Sequence, residues 1–179
     1  MPRLLVLARL ALLALLAAPI LARADDVSEI RDLLARGDGQ AALLRAEKAL
    51  AANPRDAQSR FLLGVALMDL RRDEDALTHF TRMTQDYPDL PDPLNNVALL
   101  HARAGRPEMA RLALEAALRA DPTHRLARTN LGHVHLMLAV QAWDRAAALG
   151  PLDPAVQRRL EAARQLLEGR AVPASGAAR

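Results

Sequence analysis

The chain carries 24 lysines and arginines against 21 aspartates and glutamates over 179 residues, and it has no cysteine. That absence excludes a disulfide scaffold, a Cys-ligated zinc site, a thiol nucleophile and lipid attachment at a lipobox cysteine. Rings stand only at Phe61, Phe80, Tyr87 and Trp143 and the charges alternate in sign, so the basic, aromatic-interleaved stripe of a nucleic-acid binder is excluded as well.

The first element, "MPRLLVLARLALLALLAAPILARA" over residues 1–24, reads as a cleavable secretory signal. Arg3 and Arg9 lead, an uncharged run from Leu10 to Leu21 follows, and Ala22-Arg23-Ala24 supplies the small-x-small pattern of signal peptidase, with cleavage expected after Ala24. The run falls short of the roughly 20 apolar residues that a bilayer needs, so no stable membrane span is expected after cleavage; a retained N-terminal anchor is the alternative. Loss of Arg3, Arg9 and Arg23 leaves 21 basic residues against 21 acidic ones. The pI near 10.4 then reflects arginine guanidiniums, Lys48 being the sole lysine, and says little about partners.

Beyond residue 24 the chain repeats. Pro54, Pro88 and Pro122 close the strings "LAANP", "TQDYP" and "LRADP" at equal intervals of thirty-four positions. In that register Ala42, Ala76 and Ala110 coincide, as do Ala46, Phe80 and Leu114, and Leu63-Gly64 aligns with Val97-Ala98 and Leu131-Gly132. The register predicts helix pairs over 26–36 and 39–52, 56–70 and 73–86, and 91–104 and 107–120. Gly37 and Gly105 stand where a helix end favours a left-handed residue, Asp73 is the expected N-cap of its helix, and Pro107 suits a first turn. Small residues such as Gly64 and Ala76 let two helix backbones approach, Phe80 is expected to fill the space toward the next hairpin, and Pro88 ends its helix.

The fourth stretch, "LARTNLGHVHLMLAVQAWDRAAALGPLDP", begins in register at Leu131-Gly132. It brings Ala142, Ala146 and Pro154 to the repeat positions only if the turn between its helices is two residues shorter. A shortened hairpin is therefore expected, the alternative being one longer helix broken near Leu138. An amphipathic helix from Ala155 to Glu168 follows, with Val156, Leu160, Ala163 and Leu167 on one face, as a solenoid cap would have. Residues 169–179, "GRAVPASGAAR", have the composition of a flexible tail.

This pattern resembles the tetratricopeptide repeat (TPR) family, whose thirty-four-residue unit has Gly or Ala at position eight, Ala at twenty, a large apolar residue at twenty-four and Pro at thirty-two. The likeness covers residues 25–154. It implies an all-α, right-handed solenoid of three to four helix-turn-helix repeats plus a C-terminal capping helix, spanning residues 25–168. Gly64, Ala76, Phe80, Pro88, Ala110, Leu114, Pro122 and Gly132 would then be packing residues. In this family, first-helix positions two, five, nine and twelve line a concave groove. Carried onto this chain they are Gln58, Phe61, Val65 and Met68 in the second repeat and Asp92, Asn95, Leu99 and Ala102 in the third. The fourth repeat adds Leu126, Thr129, His133 and Leu136, and the first adds Val27, Arg31 and Leu34. Such a mixed surface suits an extended peptide or a partner helix. Positions five and nine lack the basic and Asn residues by which some members grip a chain-terminal carboxylate, so that specialisation is not expected.

No catalytic, metal-binding or cofactor-binding residues are expected. His133 and His135 are two apart on a helix and point some 200 degrees from each other, so they cannot share a metal as an i, i+4 pair could. His101 and His135 both hold repeat position eleven, where packing is expected, and His79 and His124 have no partner at ligand spacing. Neither Ser28 nor Ser59 sits in a Gly-flanked elbow, and no phosphate loop is present. Asp69, Asp73, Glu74 and Asp75 beside Arg71 and Arg72 read as a solvated turn. The expectation is a non-catalytic adaptor or scaffold of the bacterial periplasm that binds a peptide or partner protein. Its likeness to small exported TPR proteins points to cell-wall or outer-membrane machinery in envelope assembly. A client-specific assembly factor for cytochrome c maturation or for pilus or secretin assembly, and a self-associating structural homo-oligomer, are the open alternatives.

Overall fold

The computed structural model describes residues 26–169, so the signal expected over 1–24 and all but the first residue of the expected tail lie outside the described residues. Among the described residues there are eight helices and no strand. They are α1 (26–35), α2 (Gly39–Ala52), α3 (Ala57–Asp69), α4 (Asp73–Asp86), α5 (Pro91–Arg103), α6 (Pro107–Ala120), α7 (Arg125–Leu149) and α8 (Pro154–Leu167). Two compact units divide the chain, Met1–Tyr87 and Pro88–Arg179, the first holding α1 to α4 and the second α5 to α8.

Local chemistry sets the helix ends. Asp38 and Asp56 cap α2 and α3 by accepting the N–H groups of Ala41 and Ser59 at 3.1 and 3.0 Å. Asp73, expected as an N-cap, is instead the first helical residue of α4; Arg72 holds the cap position without a side-chain cap bond, and its guanidinium reaches Asp75 at 2.8 Å. Three acidic residues, Asp73, Glu74 and Asp75, sit in that first turn and complement the helix dipole.

Helices α1, α3 and α5 end in the same left-handed stop, at Gly37 (φ 74°), Arg71 (φ 60°) and Gly105 (φ 70°), each one repeat length from the next. At each stop that residue's N–H donates to a carbonyl three residues back, in Leu34, Met68 and Ala102. The next N–H reaches five back, to Leu33, Leu67 and His101, and all six bonds are 2.9 to 3.1 Å long. This paired closure reverses the chain into the second helix of each hairpin.

Packing inside the hairpins follows a trade of volume. Repeat positions eight and twenty-four are Ile30 and Ala46, Gly64 and Phe80, then Ala98 and Leu114, and every one of them is buried. Wherever one position is large, the other is small. The trade is tightest at Gly64, where an added Cβ would stand 2.5 Å from the Phe80 ring. Phe80 therefore fills the space over Gly64 within its own hairpin. Ala42, Ala76 and Ala110 are wholly buried at position twenty. Pro88 and Pro122 lie two residues past the ends of α4 and α6, and neither is buried, so their effect is on the backbone before them.

The fourth hairpin is not formed. α7 is one unbroken helix of 25 residues, with neither the shortened turn nor a break near Leu138. The position that holds Gly37, Arg71 and Gly105 in the earlier repeats falls here on Ala139, and no Gly or Pro occurs between Gly132 and Gly150. Ala, Leu and Met are strong helix formers, so nothing stops propagation. In consequence Ala142 and Ala146, expected in the core, are exposed. Gly132, expected to receive a neighbouring helix, is exposed and has nothing within 4 Å of an added Cβ. Pro154 opens α8 instead of closing a second helix. α8 packs on α7 through buried Leu160 and Ala163 and through Arg164, whose guanidinium meets Asp144 at 2.5 Å.

A candidate partner-binding cleft

In the first unit, α3 carries Gln58, Phe61, Val65 and Met68. Gln58 is exposed and the other three are half-buried. The Phe61 ring lies 5.6 Å from that of Phe80 at 57°, so part of its area already stabilises the hairpin. Arg60 fastens α3 to the end of α4. Its guanidinium contacts Asp86 at 2.6 Å and lies 5.3 Å over the Tyr87 ring, while its carbonyl accepts from His79 Nε2 at 2.7 Å. Burial pushes the His79 imidazole below its ordinary value, with the nearby Arg60 charge acting in the same direction. Ser59 Oγ donates to Asp56 at 2.6 Å inside the α3 cap, which makes it a capping group.

In the second unit, α5 and α7 face each other across a cleft of about 460 Å³. Leu99 and Ala102 of α5 and His133 of α7, all expected groove positions, line it. Ala98, Leu114, Val134 and Met137 complete its apolar wall, Arg103 and Asn130 are its other polar members, and Leu167 closes one side from the last residue of α8.

The remaining candidates are placed differently. Asn95, expected to face the groove, is only 1% exposed, and its Oδ1 accepts from Asn130 Nδ2 at 2.8 Å. A buried amide so bonded joins α5 to α7 and does not present itself to a ligand, which corrects that assignment. Asp92 is exposed, and its carboxylate accepts from His124 Nε2 at 3.0 Å. His124 in turn caps α7, its Nδ1 accepting the Ala127 N–H at 3.0 Å. Thr129 is exposed with its hydroxyl returned to the Arg125 carbonyl at 3.1 Å, and Leu136 is half-buried. His135, expected to pack, is exposed, while His101 at the same repeat position is half-buried.

Sequence reasoning missed Arg103, Met137, Asn130, Val134 and Leu167 as lining residues. The first two had a signal, since both hold repeat position thirteen in successive repeats. Leu167 had none, because the return of α8 to this cleft is a matter of tertiary placement.

The tetratricopeptide repeat pattern matches residues 27–91 and 97–154, more than half of the chain. Among curated proteins none matches it. Similar solved structures include the first TPR domain of human RPAP3, 14% identical with a TM-score of 0.61, over 65% of this chain and 92% of that one. YrrB, described as a TPR protein with an unusual peptide-binding site, is 25% identical with a TM-score of 0.55, over 59% of this chain and 54% of its own. A tetratricopeptide repeat protein from Parabacteroides merdae is 19% identical with a TM-score of 0.56, over 82% and 60%. This chain thus spans only about half of YrrB and three-fifths of the Parabacteroides protein, and the first and third likenesses speak for the fold alone. Hairpins of one constant length closed by equivalent turns, together with the matching pattern, mean that the chain belongs to the tetratricopeptide repeat family, whose repeats are generally non-catalytic protein-interaction modules.

Proposed function

We propose that the chain is a non-catalytic adaptor that takes an apolar segment of a partner protein into the α5–α7 cleft. The observation that carries this reading is the cleft itself, with aliphatic walls at Ala98, Leu99, Ala102, Val134 and Met137 and a few polar groups at Asn130, His133 and Arg103. Affinity in such a site comes from burying apolar area, and orientation comes from the few polar groups. Met137, unbranched and adaptable, suits a site that accepts more than one side-chain shape. The peptide-binding description of YrrB supports a peptide or helix as the occupant. A panel of labelled amphipathic peptides, read by fluorescence anisotropy, tests it. Leu99→Glu combined with Met137→Glu should weaken retained peptides by about tenfold or more, because a carboxylate buried against them must be desolvated. Equal binding at unchanged helicity would move the site elsewhere.

The same proposal assigns the protein to the periplasm, exported by residues 1–24 and acting in cell-envelope assembly. Residues 1–24 support that assignment through their signal pattern. Fractionation with N-terminal sequencing should find a periplasmic chain beginning at Asp25, and a cytoplasmic chain beginning at Met1 overturns it. A second reading, self-association, is favoured by the end of α7, where Ala146, Ala147 and Ala148 are exposed and Leu149 is 91% exposed. Light scattering that finds a monomer across the micromolar range removes it.

A further inference from the structure

We propose that two copies of this chain pair through antiparallel α7 helices, the second half of each lying against the first half of the other. The dimer thereby closes two fourth hairpins that a single chain leaves open. The proposal deepens the self-association reading and rests on it.

Each formed hairpin hides the same positions. Repeat positions eight, twenty and twenty-four are buried in all three, and so is position twenty-seven, at Ala49, Met83 and Ala117. In the fourth unit, counted with its turn two residues shorter, those four positions are Gly132, Ala142, Ala146 and Leu149, and all four are exposed. α8 packs on α7 without covering them. An unbroken α7 holds the receiving face and the covering face in tandem on one rod, with Gly132 about 21 Å from Ala146. Neither face can reach the other within one chain. A second copy carries both.

The two faces lie on one side of the helix. At about 100° per residue, Gly132, Ala139, Ala142, Ala146 and Leu149 share an arc of roughly 100°. Exposed Arg128 and His135 lie on the same arc, and the whole series runs at alternating intervals of three and four, the spacing of a helix-pair seam. Position eight meets position twenty-four where Gly64 meets Phe80. The same match between copies sets Gly132 against Ala146 of the second copy, and a two-fold contact returns it reciprocally. The axis then falls on Ala139, midway between them and at the position of the missing turn. Gly132 with Ala146 is the smallest such pair in the chain, so the two backbones can approach closely. Charge favours the antiparallel direction. α7 has no basic residue in its own last turn, and the pairing brings Arg128 of the second copy to that end, where a cation complements the helix dipole. The cleft residues Asn130, His133, Val134 and Met137 lie on the opposite arc of α7, so the dimer presents two open clefts.

Because the chain has no cysteine, introduced thiols report the register directly. On oxidation with copper phenanthroline at micromolar concentration, chains carrying Ala139→Cys should link to one another, since the axis brings those positions together. Chains carrying Gly132→Cys and chains carrying Ala146→Cys should link about fivefold more when mixed than when each is oxidised alone. Equal yields overturn the proposal. Ala142→Glu combined with Ala146→Glu should keep helicity, because both sites are exposed in the single chain, and should weaken dimerisation about tenfold or more by light scattering. If a thiol variant loses helicity, the glutamate pair decides. A dimer that survives both glutamates, or whose thiols link without regard to position, removes the α7 pairing and leaves self-association through another surface. A monomer across the micromolar range removes both.

Discussion

Helices α5 and α7 begin one repeat length apart, at Pro91 and Arg125, yet α5 stops after 13 residues and α7 runs for 25. Apolar content does not separate them, since both are rich in Leu, Ala and Val. What separates them is the turn. α5 ends at Gly105, followed by Arg106 and then Pro107, which cannot continue the first helix and opens the second. The matching site in α7 is Ala139, followed by Val140 and Gln141, with no cap, proline or acidic first turn. Arg71 shows that glycine is not essential at this site, and the helix that follows opens on three acidic residues, Asp73, Glu74 and Asp75, a favourable start. A TPR hairpin therefore depends on a left-handed stop together with a start signal for the next helix, and α7 has neither.

The largest expected effect contrasts the two equivalent glycines. Gly64→Leu should cost about 3 kcal/mol or more by urea unfolding, because its side chain meets a fully buried Phe80 ring. Gly64→Ala combined with Phe80→Leu should recover most of the loss of Gly64→Ala alone, since it rebuilds the Ala98 and Leu114 pair. Gly132→Ala should instead stabilise by about 0.5–1 kcal/mol, because it adds helix propensity in open space. A loss at Gly132 would mean that α7 has a partner there.

Next in size is the turn itself. Gly105→Ala should cost about 1 kcal/mol, as the strain of a left-handed alanine outweighs the entropy it removes from the unfolded chain. Arg71→Gly should do the opposite and gain about 0.5–1 kcal/mol, seen as a higher melting temperature. If it destabilises, the Arg71 side chain holds the turn by some other contact.

The smallest effect concerns pH and is confined to the first unit. His79 is held below the ordinary imidazole value by burial, so between that value, about 6.5, and the lower folded one the unfolded chain binds more protons. Its contribution to stability is complete above about pH 6.5 and is lost as the pH falls through the folded value. His79→Gln keeps an N–H for the Arg60 carbonyl and should flatten this part of the stability profile. An unchanged slope would assign it to other groups.

The period, the helix pairs up to residue 120 and the left-handed glycines were legible because backbone preference and side-chain volume belong to each residue and recur at a fixed interval. The same register misled at Ala142, Ala146 and Gly132, where matching letters stood without the turn that gives them meaning. Of the cleft, Leu99, Ala102 and His133 could be named from repeat position alone. Asn95 could not be excluded that way, because its burial depends on meeting Asn130, which lies 35 residues further along the chain.

From its amino acids alone this protein is a chain of TPR hairpins in which small residues recur at fixed repeat positions. Only the tertiary structure decided that Asn95 is buried against Asn130 and that the end of α8 shares a cleft with Leu99. Helix propagation and volume matching are local and can be read along the chain. The shape of a cleft depends on where separate helices come to rest against each other, and no single interval in the sequence encodes that.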